Sequence, residues 1–172
     1  LDVSLPFTHV VLSHVYLWQK LHDQAIAAAR RAVELDPNNA DSIANLGDIL
    51  SWSGKPEDSI RLVKKAIRLN PLYPPLYDYY IGCAYRLTGR FEEAIASQHR
   101  MIQRQPNFLP SYAELAAAYS ELGRFQEARE AGGLAMKLSP QATVDSLRRS
   151  LPYRDQATLE RTLEALRKAG LN

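Results

Sequence analysis

The sequence predicts an all-α protein built from stacked helical hairpins, and three observations lead to that prediction. A short phrase recurs at a fixed spacing, apolar residues recur at helical rather than strand spacing, and glycine and proline separate the apolar stretches. The phrase YRLTGRFEEAI at residues 85–95 returns as YSELGRFQEAR at residues 119–129, a spacing of 34 residues. A period of this size is typical of an array of helical repeats.

The same period extends over most of the chain and predicts four copies of the repeat. Pro37 and Pro71 are 34 residues apart, as are Pro106 and Pro140, whereas Pro71 and Pro106 are 35 apart. The extra residue must lie between Pro71 and Ile81, in the stretch LYPPLYDYY. The predicted repeats are residues 6–39, 40–73, 74–108 and 109–140, and a C-terminal helical cap is predicted for residues 141–172.

Each copy is predicted to form two helices joined by a tight turn. In the second copy, Ile43, Leu46 and Leu50 recur at helical spacing, and the stretch SGKP then ends the first helix. A second amphipathic stretch, residues 60–69, stops before Pro71, because the residue before a proline is pushed out of helical geometry. Each copy therefore reads as a helical hairpin.

Small side chains mark the place where the two helices of a hairpin meet. On the first helix the equivalent positions hold Ser13, Gly47, Gly82 and Ala116, and on the second helix they hold Ala25, Ser59, Ala94 and Ala128. A bulky side chain there would overpack the contact and cost roughly 1–3 kcal/mol. One hairpin alone leaves an apolar face bare, so at least three are expected to stack.

The segment after Pro140 breaks the pattern and is predicted to cap the array. A short helix that Pro152 stops is followed by a longer one, with Asp155 as its candidate N-cap and Gly170 as its C-terminal stop. A stacked array needs such an element where its last apolar face would otherwise meet water.

The composition excludes several classes of protein. With 21 basic and 19 acidic side chains, the formal net charge of +2 is too small for a surface that follows nucleic-acid phosphates. Cys83 is the single cysteine, which permits no intramolecular disulfide and suits a cytoplasmic setting. No apolar stretch reaches the ~20 residues of a membrane span. The chain opens on Leu1 rather than Met, and we expect a fragment of a longer protein.

The sequence contains no recognisable catalytic or cofactor motif. His9 and His14 are the closest pair of histidines, and they lie about 140° apart around a helix at roughly 100° per residue. Because zinc sites need three or four converging ligands, no metal site is expected. A glycine-rich phosphate loop, a GxSxG motif and a persuasive cysteine–histidine pair are all missing. We therefore expect a protein that is not an enzyme and that uses no cofactor.

The repeated pattern resembles the tetratricopeptide repeat. The resemblance is carried by Leu46-Gly47 with Gly54, by Ile81-Gly82 with Tyr85, Gly89 and Phe91, and by Leu115-Ala116 with Tyr119, Gly123 and Phe125. The first copy matches least well, since Lys20 stands where the turn glycine would be. The resemblance covers residues 6–140 and implies a right-handed superhelix whose concave face binds a protein or a peptide.

Two longer phrases carry a narrower resemblance. LNPLYPPLYDYYIGCAYRLTGRFEEAI and LPYRDQATLERTLEALRKAGL are similar to the C-terminal tetratricopeptide region of bacterial multidomain regulators. The similarity is particularly to regulators that have an N-terminal class III adenylate/guanylate cyclase domain, and it extends to some winged-helix regulators. The resemblance implies the regulatory interaction region of a larger signalling protein. It does not imply catalysis, because the metal-binding aspartates of the cyclase domain have no counterpart here.

The family resemblance also implies which residues line the concave groove. They lie opposite the hairpin contact on each first helix: His14, Trp18, Asp41, Ala44, Asn45, Asp48, Trp52, Tyr79, Cys83, Arg86, Ala113, Glu114 and Ala117. Chaperone–cochaperone members of the family hold a carboxylate clamp of Lys, Asn and Arg at such places. Because this chain has other residues there, a carboxylate clamp is not expected. Asp41, Asp48 and Glu114 bring negative charge, so we expect an extended segment with basic and apolar residues, anchored by Tyr79 and Arg86.

Two questions stay open at the level of sequence. Four tyrosines either pack around the inserted residue or form an adhesive patch for a partner, namely Tyr73, Tyr77, Tyr79 and Tyr80. Trp18 and Trp52 likewise either pack between repeats near the turn or are exposed to contact a partner. For the chain as a whole, the alternative to a peptide-binding scaffold is a homo-oligomerisation module, in which the charged cap or the terminal hairpin dimerises the parent regulator.

Overall fold

The computed structural model describes residues 4–171, and within that range it contains ten α-helices and no strand. Eight helices form four hairpins: α1 (Pro6–Trp18) with α2 (His22–Leu35), α3 (Ala40–Trp52) with α4 (Pro56–Leu69), α5 (Leu76–Leu87) with α6 (Phe91–Arg104), and α7 (Leu109–Glu121) with α8 (Phe125–Leu138). The C-terminal tail adds α9 (Val144–Ser150) and α10 (Gln156–Lys168). The prediction of an all-α array is confirmed.

Each hairpin turn depends on one residue with a positive φ angle. Gly54, Gly89 and Gly123 adopt φ angles of 82°, 78° and 83°, and Lys20 takes the same role in the first hairpin with a φ of 60°. Glycine enters this region without steric cost, whereas an L side chain there costs roughly 1–2 kcal/mol. The first hairpin therefore keeps the turn geometry of the others although its sequence departs from theirs.

Glycine allows the two helices of a hairpin to approach closely. A Cβ atom added to Gly47 would lie 2.8 Å from Cγ2 of Val63, and one added to Gly82 would lie 2.5 Å from Nε2 of Gln98. Both distances are shorter than van der Waals contact. A larger residue at Gly47 or Gly82 would therefore require the neighbouring side chain of Val63 or Gln98 to move.

The apolar core runs along the stack in two clusters. In one cluster, Ile43 and Ala44 of α3 and Val63 of α4 pack with Tyr80 and Ala84 of α5, which joins the second hairpin to the third. The other cluster extends from the first two hairpins to the fourth hairpin and the tail. Each hairpin thus buries its apolar face against its neighbours, as the repeat pattern predicts.

The tail packs on the last hairpin. Leu159, Leu163 and Leu166 of α10 are buried, and α10 contacts both α7 and α8. At Gly132 of α8, an added Cβ would collide with the carbonyl oxygen of Ala169. The end of the tail therefore lies directly on the backbone of α8.

The connection between α9 and α10 reaches back to the first two hairpins, and we call residues 151–155 the strap. The N–H of Arg154 donates to the carbonyl oxygen of Trp52 at 3.0 Å, and the Arg154 guanidinium lies 2.7 Å from Oδ1 of Asp23. The rings of Tyr153 and Trp52 pack with their centroids 4.7 Å apart. The sequence predicts a cap but not this second contact across the array.

Two adjacent glycines of α8 provide a matched test of the tail packing. Gly132→Ala pushes a methyl group against Ala169, so we expect the free energy of unfolding to fall by about 1–3 kcal/mol. Gly133→Ala meets nothing within 4 Å and should be neutral or stabilise by up to about 1 kcal/mol, because alanine favours helix over glycine. Urea unfolding followed by circular dichroism measures both. Equal effects of the two substitutions would contradict the contact.

Candidate functional site

The first helices of the hairpins and the tail enclose two neighbouring cavities. The inner cavity has a volume of about 350 Å³, and the tail forms one of its walls. It is lined by His14, Leu17, Trp18, Asp48, Trp52, Tyr79, Tyr80, Phe108, Leu109, Pro110, Ala113, Glu114, Leu147, Ser150, Leu151, Thr162 and Leu166. The open pocket, of about 340 Å³, is lined by Pro6, Phe7, Val10, His14, Asn39, Asp41, Ser42, Asn45, Pro74, Leu76, Tyr77 and Tyr80.

The structure brings together nine of the thirteen residues that the sequence assigns to the groove. Seven line the inner cavity: His14, Trp18, Asp48, Trp52, Tyr79, Ala113 and Glu114. Asp41 and Asn45 line the open pocket, which His14 also borders. That these residues bind a partner stays a prediction.

The other four residues line neither cavity. Ala44 and Ala117 are 0% exposed, and Cys83 is 4% exposed. Ala44 belongs to the core between the second and third hairpins, and Ala117 packs in the cluster that includes α10. All three side chains were expected at the surface of the groove. The neighbouring hairpin or the tail covers the two alanines, whereas the sulfur of Cys83 lies 3.9 Å from Nε2 of Gln98 in its own hairpin. Burial also raises the pKa of the Cys83 thiol, which makes this cysteine a poor nucleophile.

Arg86 departs furthest from the sequence-based expectation. Its side chain is 1% exposed, and its Nε donates to Glu114 at 2.7 Å. Nη1 donates to Glu121 at 3.1 Å, and Nη2 donates to the hydroxyl of Tyr153 at 2.8 Å. Further contacts reach Oγ1 of Thr162 at 3.3 Å and the second oxygen of Glu114 at 3.3 Å. The five N–H donors of the guanidinium are thereby occupied, which contradicts the expectation that Arg86 offers a free cation to a peptide.

The charges around Arg86 balance within the protein. Glu121 also forms an ion pair with Arg161 of α10, whose Nε lies 3.0 Å from the carboxylate. Two arginines therefore face two glutamates, Glu114 and Glu121, at the junction of α5, α7 and α10. Glu114 consequently contributes little net charge to the groove, although the sequence counts it among the groove acids.

Asp48 organises a second polar cluster at the wall of the inner cavity. Nε1 of Trp52 donates to Asp48 at 3.0 Å, and Nε2 of His14 lies 3.6 Å from the same carboxylate. The nearby carboxylate of Asp48 raises the pKa of His14, with burial acting in the opposite direction. The pKa of His22 is lowered, first by burial and then by the nearby charge of Arg154. The pKa values of the two histidines are thus shifted in opposite directions.

The tyrosines mainly pack against other residues. The rings of Tyr73 and Tyr77 stack with centroids 5.7 Å apart, and the hydroxyl of Tyr77 donates to Asp41 at 2.5 Å. Tyr79 packs edge-on against Phe108 at 5.1 Å while lining the inner cavity. The two tryptophans differ in exposure. Trp52 is 7% exposed and packs against the strap, whereas Trp18 is 55% exposed.

The open pocket contains a buried acceptor without a donor. Nδ2 of Asn45 donates to Oγ of Ser13 at 3.0 Å, and the Ser13 hydroxyl donates in turn to the carbonyl oxygen of Val10 at 2.7 Å. Because the Ser13 proton is engaged, the amino group of Asn45 must be the end that faces Ser13. The carboxamide oxygen of Asn45 is buried and receives no hydrogen bond from the described residues.

Sequence reasoning missed the groups that the tail contributes to this region. Tyr153, Arg154 and Thr162 contact Arg86, Trp52 and the inner cavity, as described above. The tail lies outside the 34-residue period, so no repeat offset relates these residues to the hairpins. A tyrosine directly after Pro152 in an otherwise charged tail is the one weak signal that the sequence offers.

Two further properties concern the part of the chain from residue 4 to residue 171. No three His, Cys, Asp or Glu side chains there converge in a way that could hold a metal ion. None of the helices in that range is both long enough and apolar enough to cross a membrane.

We predict that the Arg86 network stabilises the fold, because replacing Arg86 leaves the buried Glu114 without its partner and removes one of the two arginines that pair with Glu121. Arg86→Ala should lower the free energy of unfolding by about 3–5 kcal/mol. Arg90→Ala is the matched control, since its exposed pair with Glu57 should contribute less than about 1 kcal/mol. Thermal and urea unfolding measure both variants. An Arg86→Ala protein as stable as the control would show that the network is dispensable.

Comparison with protein families identifies the repeats. Family profiles described as "Tetratricopeptide repeat" match residues 17–78, 79–108 and 111–139. Together the three matches cover more than two thirds of the chain.

Among characterised relatives, anaphase-promoting complex subunit 3 of Schizosaccharomyces pombe is 25% identical over 139 residues, which are 81% of this chain and 21% of that protein. Superkiller complex protein 3 of Mus musculus is 26% identical over 104 residues, which are 60% of this chain and 6% of that protein. The chain therefore spans at most about a fifth of the length of these relatives.

Solved structures show the same fold. PilW, a type IV pilus biogenesis factor, superimposes with a TM-score of 0.74 at 23% identity, covering 98% of this chain and 74% of PilW. YrrB, described as a TPR protein with an unusual peptide-binding site, gives a TM-score of 0.60 at 16% identity, covering 98% of this chain and 86% of YrrB. The repeat matches and the shared superhelical fold lead to one conclusion: the chain belongs to the tetratricopeptide repeat family.

Proposed function

We propose that this chain is a non-catalytic scaffold whose open pocket binds an extended segment of a partner protein. Family membership supports a role in protein interaction, and the buried carboxamide oxygen of Asn45 supports this location for it. A buried acceptor without a hydrogen bond costs about 1–3 kcal/mol. Asn45 lines the open pocket, so a rotation of its side chain would present this buried oxygen to a backbone N–H of a bound segment.

The charges of the lining favour a basic segment. No Lys or Arg is among the described residues that line the two cavities, whereas Asp41, Asp48 and Glu114 are. Arg86 neutralises Glu114, and Asp48 is tied to Trp52 and His14, so the exposed Asp41 carries most of the remaining attraction. Complementary charge chiefly guides encounter and specificity, while apolar contacts supply affinity.

The tail limits how far such a segment can extend. Leu147 and Leu151 line the inner cavity, and the strap is fastened to Trp52 and Asp23. A peptide that enters the open pocket therefore meets the tail once it passes Tyr80. The pocket has room for roughly two or three residues of a partner, at the small end of ordinary ligand sites.

Fluorescence anisotropy with two labelled octapeptides tests this proposal. The peptides share their apolar residues and carry either two lysines or two glutamates. The lysine peptide should bind more tightly, and Asp41→Asn, which keeps the acceptor for Tyr77, should reduce that preference about two- to fivefold. Asn45→Ala should weaken the binding of both peptides by about five- to thirtyfold.

Asp58→Asn on α4 is the control, because Asp58 is a surface carboxylate that lines neither cavity. It should leave both affinities unchanged. Tighter binding of the glutamate peptide, or an unchanged affinity in Asn45→Ala, would contradict the proposed site.

We further propose that the scaffold is the regulatory region of a larger cytoplasmic signalling protein of bacteria, one with a class III cyclase domain. The two phrases that resemble such regulators support this proposal. One of them, LPYRDQATLERTLEALRKAGL, forms the strap and α10 and thus contains the tail's contacts to Arg86 and Trp52. Removing residues 6–171 from the intact protein should change its nucleotide cyclase activity while the catalytic domain stays folded. Unchanged activity would count against this role.

A further inference from the structure

One face of α1 exposes four large apolar side chains. Phe7, Val11, Val15 and Trp18 follow one another at intervals of about one helical turn, and their exposed fractions are 74%, 37%, 44% and 55%. We call these four residues the α1 stripe. None of the 13 residues of α1 is Asp, Glu, Lys or Arg, which holds for no other helix in residues 4–171.

The other hairpins show how the position of Val15 is normally used. The positions equivalent to Val15 hold Ile49 in α3, Ala84 in α5 and Ala118 in α7, and all three are 0% exposed. Ile49 packs in one cluster with residues of α1 and α2, and Ala84 packs with residues of α3 and α4. The preceding hairpin thus covers the Val15 position in each later repeat. In α1 this position is exposed, and no described helix covers the α1 stripe.

A second copy of the chain cannot cover the α1 stripe by continuing the stack. The hairpin that would have to dock there is the fourth one, and α10 already lies on it. Leu163 and Leu166 are buried on that side, and Gly132 is in contact with the backbone of Ala169. Head-to-tail growth is blocked at this end. On the described surface of a second copy, the matching uncharged helix face is that copy's own α1 stripe.

The order of side chains in the α1 stripe is self-complementary. It runs aromatic, valine, valine, aromatic along the helix. An antiparallel arrangement of two α1 helices places Val11 of one copy beside Val15 of the other, and Phe7 beside Trp18. Such a pairing uses the same surface on both copies and closes after two subunits. No charged residue of α1 opposes it.

We propose that two copies of this chain pair through their α1 stripes in antiparallel orientation. One helix face is small beside the roughly 800 Å² per partner of a standard interface, so the dimer should be weak and form at tens of micromolar. The inference does not rest on peptide binding, and its test uses no peptide. Phe7 and Trp18 also line the open pocket and the inner cavity, so pairing would narrow the mouths of both.

Sedimentation equilibrium of the whole chain from about 1 to 300 µM, a range spanning the affinity expected for a small interface, tests the pairing. The mass should rise with concentration from the monomer value of 19.4 kDa towards a dimer. Val15→Glu should shift the dissociation constant upward at least tenfold. Leu134→Glu on α8 is the matched control, because Leu134 is 45% exposed and Val15 is 44% exposed. This control should dimerise like the parent chain, with circular dichroism confirming that both variants fold.

A monomer at the highest concentration would overturn the proposal, as would equal effects of the two glutamate substitutions. The orientation has its own test, since the native Cys83 is only 4% exposed. Val11→Cys and Val15→Cys chains, mixed under mild oxidation, should form the mixed disulfide faster than either variant forms a disulfide with itself. Faster self-linkage of either variant would overturn the antiparallel pairing.

Discussion

Every hairpin of this chain leaves an apolar face that only a neighbouring element can cover, and the rest of the structure follows from that constraint. The hairpins close internally because Gly47 and Gly82 leave room for the opposing helix. They then stack, so that positions such as Ile49 and Ala84 become fully buried. At the C-terminal end, α10 ends the stack, as a capping element must. At the N-terminal end of the described chain the equivalent residue of α1, Val15, is exposed and apolar.

A buried arginine joins the tail to the stack. Removing the charge of Arg86 from water is costly unless its donors are paired, and the third hairpin alone does not supply the partners. α7 provides Glu114 and Glu121, and the tail provides Tyr153 and Thr162. A buried ion pair of this kind adds little stability over an apolar contact, but it is satisfied in few arrangements. We interpret it as the contact that sets where the tail lies.

The position of the tail divides the groove into two halves with different properties. Near the C-terminal ends of α3, α5 and α7 the tail meets the first helices, and the polar groups there are mostly paired with one another. Near the N-terminal ends of α1, α3 and α5 the groove stays open, and Asn45 keeps an acceptor that no described residue satisfies. Partner binding is therefore best sought in the half of the molecule that the tail leaves uncovered, where an exposed carboxylate, Asp41, also lies.

The sequence by itself determined the repeat architecture, since the features that specify a hairpin are local and recur every 34 residues. It also located much of the groove, because the side opposite the hairpin contact follows from helical geometry and includes His14, Asp48 and Tyr79. Only the tertiary structure decided the state of Arg86, whose partners in the tail lie 67 and 76 residues further along the chain. Helical periodicity specifies which face of a helix points away from its own hairpin. Whether solvent, a ligand or another part of the chain meets that face depends on long-range packing outside the period.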